Sequence, residues 1–156
     1  MRLSICAVGR LRNGPERDLI GDYAERFDRT GRGLGLGPLC FREIDDRKGG
    51  GPAAEARLLQ RALPDAAVIC ALDERGKALS SPDFAALLAR WRDEGRSDAA
   101  FLIGGADGLD AALSERADAR LSFGPMVWPH MLARVMLTEQ LYRAASILAG
   151  LPYHRA

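Results

Sequence analysis

Apolar residues along this chain follow two alternating patterns: short continuous runs closed by glycine or a charge, and longer stretches recurring every three or four positions. "LSICAVG", Leu3 to Gly9, is the first run and reads as a strand. In "NGPERDLIGDYAERF", Asn13 or Gly14 offers a cap, Pro15 suits a first helical position, and Leu19, Ile20, Tyr23 and Phe27 share one helical face. The alternation continues with a glycine-rich loop "GRGLGLGP", a strand "LCFREID", and a flexible loop "DDRKGGG" leading to a helix that starts near Pro52. The triple glycine, Gly49 to Gly51, suggests mobility. "AAVICALD", Ala66 to Asp73, is apolar without interruption, as a central strand buried on both faces should be. A turn at "ERGK" follows. Ser81 then caps a helix with Pro82 at its first position and Phe84, Leu87, Leu88 and Trp91 as its buried stripe. "DAAFLIGG" is the next strand, "GLDAALSERA" a helix, "ARLSFG" a short strand, and a long helix runs from about Met131 to Ala149 before the tail "GLPYHRA".

Strands alternating with helices define an α/β protein, a parallel sheet flanked by helices on both faces. With 156 residues and neither an internal repeat nor a linker, residues 1–156 are expected to form a single domain. Sheets of this kind bind ligands beyond the carboxyl ends of their strands. That rule selects three places: after Asp73, at Gly104 to Gly108, and at Phe123 to Trp128.

The charge balance narrows the partners. The net charge of +1 advertises no global field for nucleic acid, and Lys48 and Lys77 are the only lysines, so an RNA contact has to come from a local arginine patch. Cys6, Cys40 and Cys70 each lie in an apolar run without a C-x-x-C spacing, which predicts buried thiols in a reducing compartment. No stretch reaches the length of a membrane span and no signal peptide is apparent, so a cytoplasmic protein is expected.

In "FLIGGADGLD", Gly104 and Gly105 follow a strand directly. A tight turn needing positive φ is one reading; a ligand approached by bare backbone is the other. The G-x-G-x-x-G and G-x-x-x-x-G-K-[ST] spacings are absent, as are the serine-hydrolase elbow and the usual zinc patterns. What remains is a site built from main chain, suited to a flat ligand such as an adenine, with apolar side chains closing over it. The second cluster is "FGPMVWPHMLARVMLTEQLYRAASIL", an amphipathic helix behind Pro129 that packs on the sheet. Arg134 and Arg143 are solvated surface charges on it or, with Arg155, the local cationic patch. The only histidines are His130 and His154, each a structural group or a catalytic one. The "PYHRA" tail carries Tyr153, His154 and Arg155, a triplet of little use to a fraying end unless it docks and completes a site.

At "LIGGADGL", "FGPMVWPHMLARVMLTEQLYRA" and "YHR", and from the opening "AVGRLR" through "ERF", the sequence resembles the ribosomal large-subunit RNA methyltransferase H family within the SPOUT methyltransferases. The resemblance implies a C-terminal deep trefoil knot, S-adenosylmethionine as methyl donor, a homodimer, and methylation at N3 of a pseudouridine in a 23S rRNA stem-loop on the assembled ribosome. It places cofactor contacts at Leu72, Gly104, Gly105, Phe123, Gly124, Pro125, Met126, Val127 and Trp128. Catalytic roles fall to His130 or His154 as proton acceptor, Arg143 or Arg155 as the cation favouring the base anion, and Tyr153 as a stacking or hydrogen-bonding group. RNA contacts are expected from Arg134, Arg143 and Arg155. The rivals are a SPOUT enzyme acting on tRNA or a ribose hydroxyl, a non-enzymatic ribosome assembly factor, and an NAD-dependent oxidoreductase, whose glycine spacing is missing.

Overall fold

The computed structural model describes residues 1–45, 47 and 49–155. Five parallel strands form one sheet in the order β2-β1-β4-β3-β5, with β1 at Arg2–Val8, β2 at Leu39–Ile44, β3 at Val68–Ala78, β4 at Asp98–Ile103 and β5 at Ala119–Ser122. Five α-helices connect and follow them: α1 Pro15–Gly31, α2 Gly51–Ala62, α3 Ser81–Asp93, α4 Ala111–Glu115 and α5 His130–Leu148. The side chains of β1 and β4 divide between two cores by the two-residue period of a strand. Leu3, Ile5, Ala7, Ala99, Phe101 and Ile103 face α1, α3 and α5, whereas Cys6, Val8, Ala100 and Leu102 face α2 and α4. Both faces of these strands are therefore dry, which is why their sequences read as unbroken apolar runs.

Several boundaries differ from the expected ones for identifiable reasons. The middle strand is β4, every residue of which is buried, while β3 lies between it and the edge strand β5. The "ERGK" segment does not end β3: Leu121 pairs with both Leu72 and Lys77, so Asp73 to Gly76 bulge out and the ladder resumes at Lys77. Gly76 is needed there, because a Cβ would stand 2.7 Å from the backbone carbon of Arg120. Ser80, not Ser81, caps α3, its hydroxyl accepting from the Asp83 N–H at 3.2 Å. The helix expected over "GLDAALSERA" shrinks to α4, capped by the Asp110 carboxylate, since Gly108 holds φ 78° just before it. Cys6 and Cys70 are buried, but Cys40 is exposed, because edge strand β2 is uncovered on both faces from Cys40 to Glu43. Of the loop over "DDRKGGG", Asp46 and Lys48 lie outside the described residues.

No helix among the described residues is long and apolar enough to cross a membrane.

Candidate active site

The carboxyl ends of β3, β4 and β5 lie side by side, and a cleft of about 370 Å³ opens beyond them. Its wall contains Leu72, Gly104, Gly105, Phe123, Gly124, Met126, Val127 and Trp128, so eight of the nine positions expected to touch a cofactor converge; exposed Pro125 lies outside it. His130, in the first turn of α5, lines the same cleft.

The positive-φ reading of the paired glycine does not hold. Neither Gly104 nor Gly105 has positive φ; that conformation belongs to Gly108. A Cβ on Gly104 would lie 2.4 Å from the Gly108 carbonyl carbon and 2.6 Å from the Leu109 nitrogen, so the chain returns over Gly104 and only hydrogen fits beneath it. Gly105 is less confined, its nearest neighbours being the ends of the Glu55 and Val8 side chains at 3.2 Å. The bare backbone thus serves first to fold the loop onto itself, closed by the Gly108 N–H donating to the Gly105 carbonyl at 3.0 Å.

The bulge in β3 delivers Asp73 to the cleft, where its carboxylate accepts from Ser114 Oγ at 2.5 Å and from the Arg75 N–H at 2.9 Å. Burial pushes the Asp73 pKa up, but the bonds from Ser114 and Arg75 outweigh it and hold the group below its usual 3.8, so it is charged at neutral pH. Across the cleft, Ser122 Oγ accepts from the Gly124 N–H at 3.1 Å and donates to the Glu74 carbonyl at 3.0 Å, tying the β5–α5 loop to the bulge. Met126 and Val127 on that loop are 71% and 86% exposed, an apolar flap without apolar cover.

The tail does dock, on α5 from its middle at Glu139 to Arg143. Tyr153 donates from its hydroxyl to Glu139 Oε1 at 2.8 Å, its ring centre lies 4.5 Å from that of Tyr142, and the Arg143 guanidinium stands 4.8 Å from its centroid. Burial first, and then Glu139, raise the Tyr153 pKa, which keeps the phenol a donor. Arg143 pairs with Glu139, its Nε donating to Oε1 at 3.1 Å, and its Nη1 lies 3.4 Å from His154 Nδ1. The Arg143 charge is thereby largely offset. Arg155 is exposed and makes no ion pair among the described residues. His130 and Arg143 are separated by about 20 Å along the helix at ~1.5 Å per residue.

Arg134 corrects the sequence reading. It is completely buried, not an RNA contact: Nη1 donates to Glu43 Oε1 at 3.0 Å, and Nη2 to the carbonyls of Val8 and Gly9 at 3.3 and 3.1 Å. Burial lowers its pKa from the usual 12.5, opposed by Glu43. The residue type gave no sign of burial, but its position did: Arg134 falls in helical register with Leu137, Thr138 and Leu141 on the buried face of α5. Asp73 and Ser114 escaped attention in the sequence for want of a motif; only the strand-end rule pointed at Asp73.

This arrangement, a parallel sheet whose strand ends and returning glycine loop form the cleft, is that of a SPOUT methyltransferase: the family model described as "Predicted SPOUT methyltransferase" matches residues 1–154, and the chain belongs to that family. Within it, the chain belongs with the ribosomal RNA large subunit methyltransferases H, and it is an RNA methyltransferase. It is 75% identical to the protein of that name from Dinoroseobacter shibae and 67% identical to that from Ruegeria pomeroyi, over 99% of both chains in each case. A probable methylase family protein from Haemophilus influenzae has a similar structure, with a TM-score of 0.57 at 14% identity over 99% of this chain and 70% of the other. At that identity the likeness concerns the fold alone.

Proposed function

We propose that the chain transfers a methyl group from S-adenosylmethionine to N3 of a pseudouridine in a stem-loop of large-subunit ribosomal RNA, on the assembled ribosome. The observation that carries this reading is the full-length 75% identity to a ribosomal RNA large subunit methyltransferase H, together with the "WPHMLAR" and "YHR" motifs that first suggested it.

The cleft suits the donor. Its apolar walls and bare Gly104 backbone accept a flat adenosine, its volume lies in the range of small-molecule sites, and the charged Asp73 carboxylate gives a cationic ligand a favourable neighbour. When bound there, S-adenosylmethionine supplies an already activated methyl group. What the protein must do is orient the acceptor and favour its anion. Leu72, Phe123 and Trp128 hold the donor from the sides, and Gly124 lets the β5–α5 loop close over it. His130, on the cleft wall, is placed to accept the N3 proton; His154 is the other candidate. Arg155, a tail cation without an ion pair among the described residues, stabilises the developing base anion better than Arg143, which Glu139 already occupies. Tyr153 presents a ring for the base to stack on.

The tail docks from the middle of α5 onward, at Glu139 and Arg143, and a symmetric homodimer gives the site its second half, the tail of one copy meeting the cleft of the other. The exposed Met126, Val127 and Leu132 supply apolar surface for such a contact. The deep trefoil knot belongs to the same reading.

Labelled S-adenosylmethionine and ribosomes lacking the modification test the reading, followed by digestion and mass mapping of the labelled nucleoside. The expected product is an N3-methylated pseudouridine from large-subunit RNA, with ribosomes a better substrate than free RNA. Label on a ribose hydroxyl, or only on tRNA, would replace this substrate with the rival one.

A further inference from the structure

A second groove, of about 670 Å³, adjoins the cleft and shares His130 with it. Its other walls are the loop between β1 and α1, with Arg10 and Arg12, and the loop after β2, with Asp45 and Arg47. From this geometry we infer that the groove takes the sugar-phosphate backbone of the RNA strand that carries the target base, with Arg10 and Arg12 as its phosphate contacts. The inference rests on the RNA substrate proposed above and assigns the strand a path into the same site.

Three observations converge on it. The first is charge. Arg10 and Arg12 are exposed, and neither guanidinium has a hydrogen bond or ion pair among the described residues. Of the two carboxylates among the described residues of the groove, Asp45 is bound by Arg47, whose Nε donates to both its oxygens at 2.9 and 3.1 Å, and Arg10 also acts on it electrostatically. With Glu16 as the other, three arginines face two carboxylates among the described residues, so the groove is cationic although the whole chain is nearly neutral. The second is rigidity. The loop bearing the two arginines is pinned from beneath at three points: the Gly9 N–H donates to the Ile44 carbonyl at 2.8 Å, the Leu11 N–H to Glu43 Oε1 at 2.8 Å, and buried Arg134 to the carbonyls of Val8 and Gly9. A loop fixed in this way loses little entropy when its side chains bind an anion, so the affinity of two phosphate contacts is retained. The third is continuity. His130 belongs to both cavities, and a strand whose base enters the cleft beside His130 has to continue past it along one wall. A phosphodiester chain is the partner that needs cations repeated along a groove leading to a base-modifying centre.

Affinity for unmodified ribosomes, measured over a range of salt concentrations, tests the assignment in the parent, in Arg10→Ala/Arg12→Ala and in Arg10→Lys/Arg12→Lys. Calorimetry of S-adenosylmethionine and methyl transfer by the parent accompany it. The alanine pair should bind about tenfold or more weakly near 0.1 M salt, with a slope of log affinity against log salt shallower by about 1.5 to 2, as expected for two lost phosphate contacts. The lysine pair should keep most of the slope, and S-adenosylmethionine affinity should change in neither. A parental salt slope in the alanine pair, with the parent active on ribosomal RNA, overturns the groove while leaving the function standing. A parent that methylates no ribosomal RNA, despite binding S-adenosylmethionine, overturns the substrate and the groove together.

Discussion

Arg134 holds three elements together from inside the protein. Its guanidinium links the first turns of α5 to the end of β1 and, through Glu43, to β2, while its Nε is buried without a hydrogen-bond partner among the described residues. Removing it leaves two carbonyls and a cavity behind, while the Glu43 side chain, one-third exposed, recovers some hydration. Arg134→Ala should therefore lower the unfolding free energy by about 3 kcal/mol, toward the low end for a broken buried pair. Denaturant unfolding measures this. A loss below about 0.5 kcal/mol, the scale of an ordinary surface substitution, would return Arg134 to the surface role its sequence position first suggested.

At the scale of elements, the turn after β4 sets the shape of the cleft. Gly104→Ala and Gly105→Ala look alike in sequence, yet the first drives a methyl group into the Gly108 and Leu109 backbone and the second meets only movable side-chain ends. Overpacking of the first kind costs about 1 to 3 kcal/mol, so S-adenosylmethionine affinity should fall about tenfold or more in Gly104→Ala and by less than about threefold in Gly105→Ala. Calorimetry compares them, and equal losses would contradict the account of the turn. The strands and their parallel arrangement could be read from "LSICAVG", "AAVICALD" and "DAAFLIGG", because burial on both faces leaves an uninterrupted apolar signature. The three strand ends then located the cleft before any likeness was considered. What could not be read was long-range. The bulge at Asp73 depends on where β5 pairs, the constraint on Gly104 depends on a chain segment returning four residues later, and the burial of Arg134 depends on Glu43, 91 positions away.

For the molecule as a whole, α5 carries both groups of candidate residues, with His130 at its start against the cleft and Glu139 and Arg143 from its middle onward against Tyr153 and His154. The tail was legible as a docked segment because a Tyr-His-Arg triplet is an odd ending for a frayed strand. Its partner on the helix, Glu139, was not, since a lone glutamate on an amphipathic helix has no distinguishing pattern. The proposed homodimer lets the tail of one copy reach the cleft of the other. The measurement that tests this most directly is methyl transfer by purified mixed dimers in which one chain carries Gly104→Ala and the other carries Tyr153→Ala/His154→Ala. By symmetry one of the two sites is then whole, and activity should return to roughly half that of the parent, from near zero in either variant alone. Mixed dimers as inactive as the variants would mean that each chain's tail serves its own cleft, and the shared site would have to be abandoned.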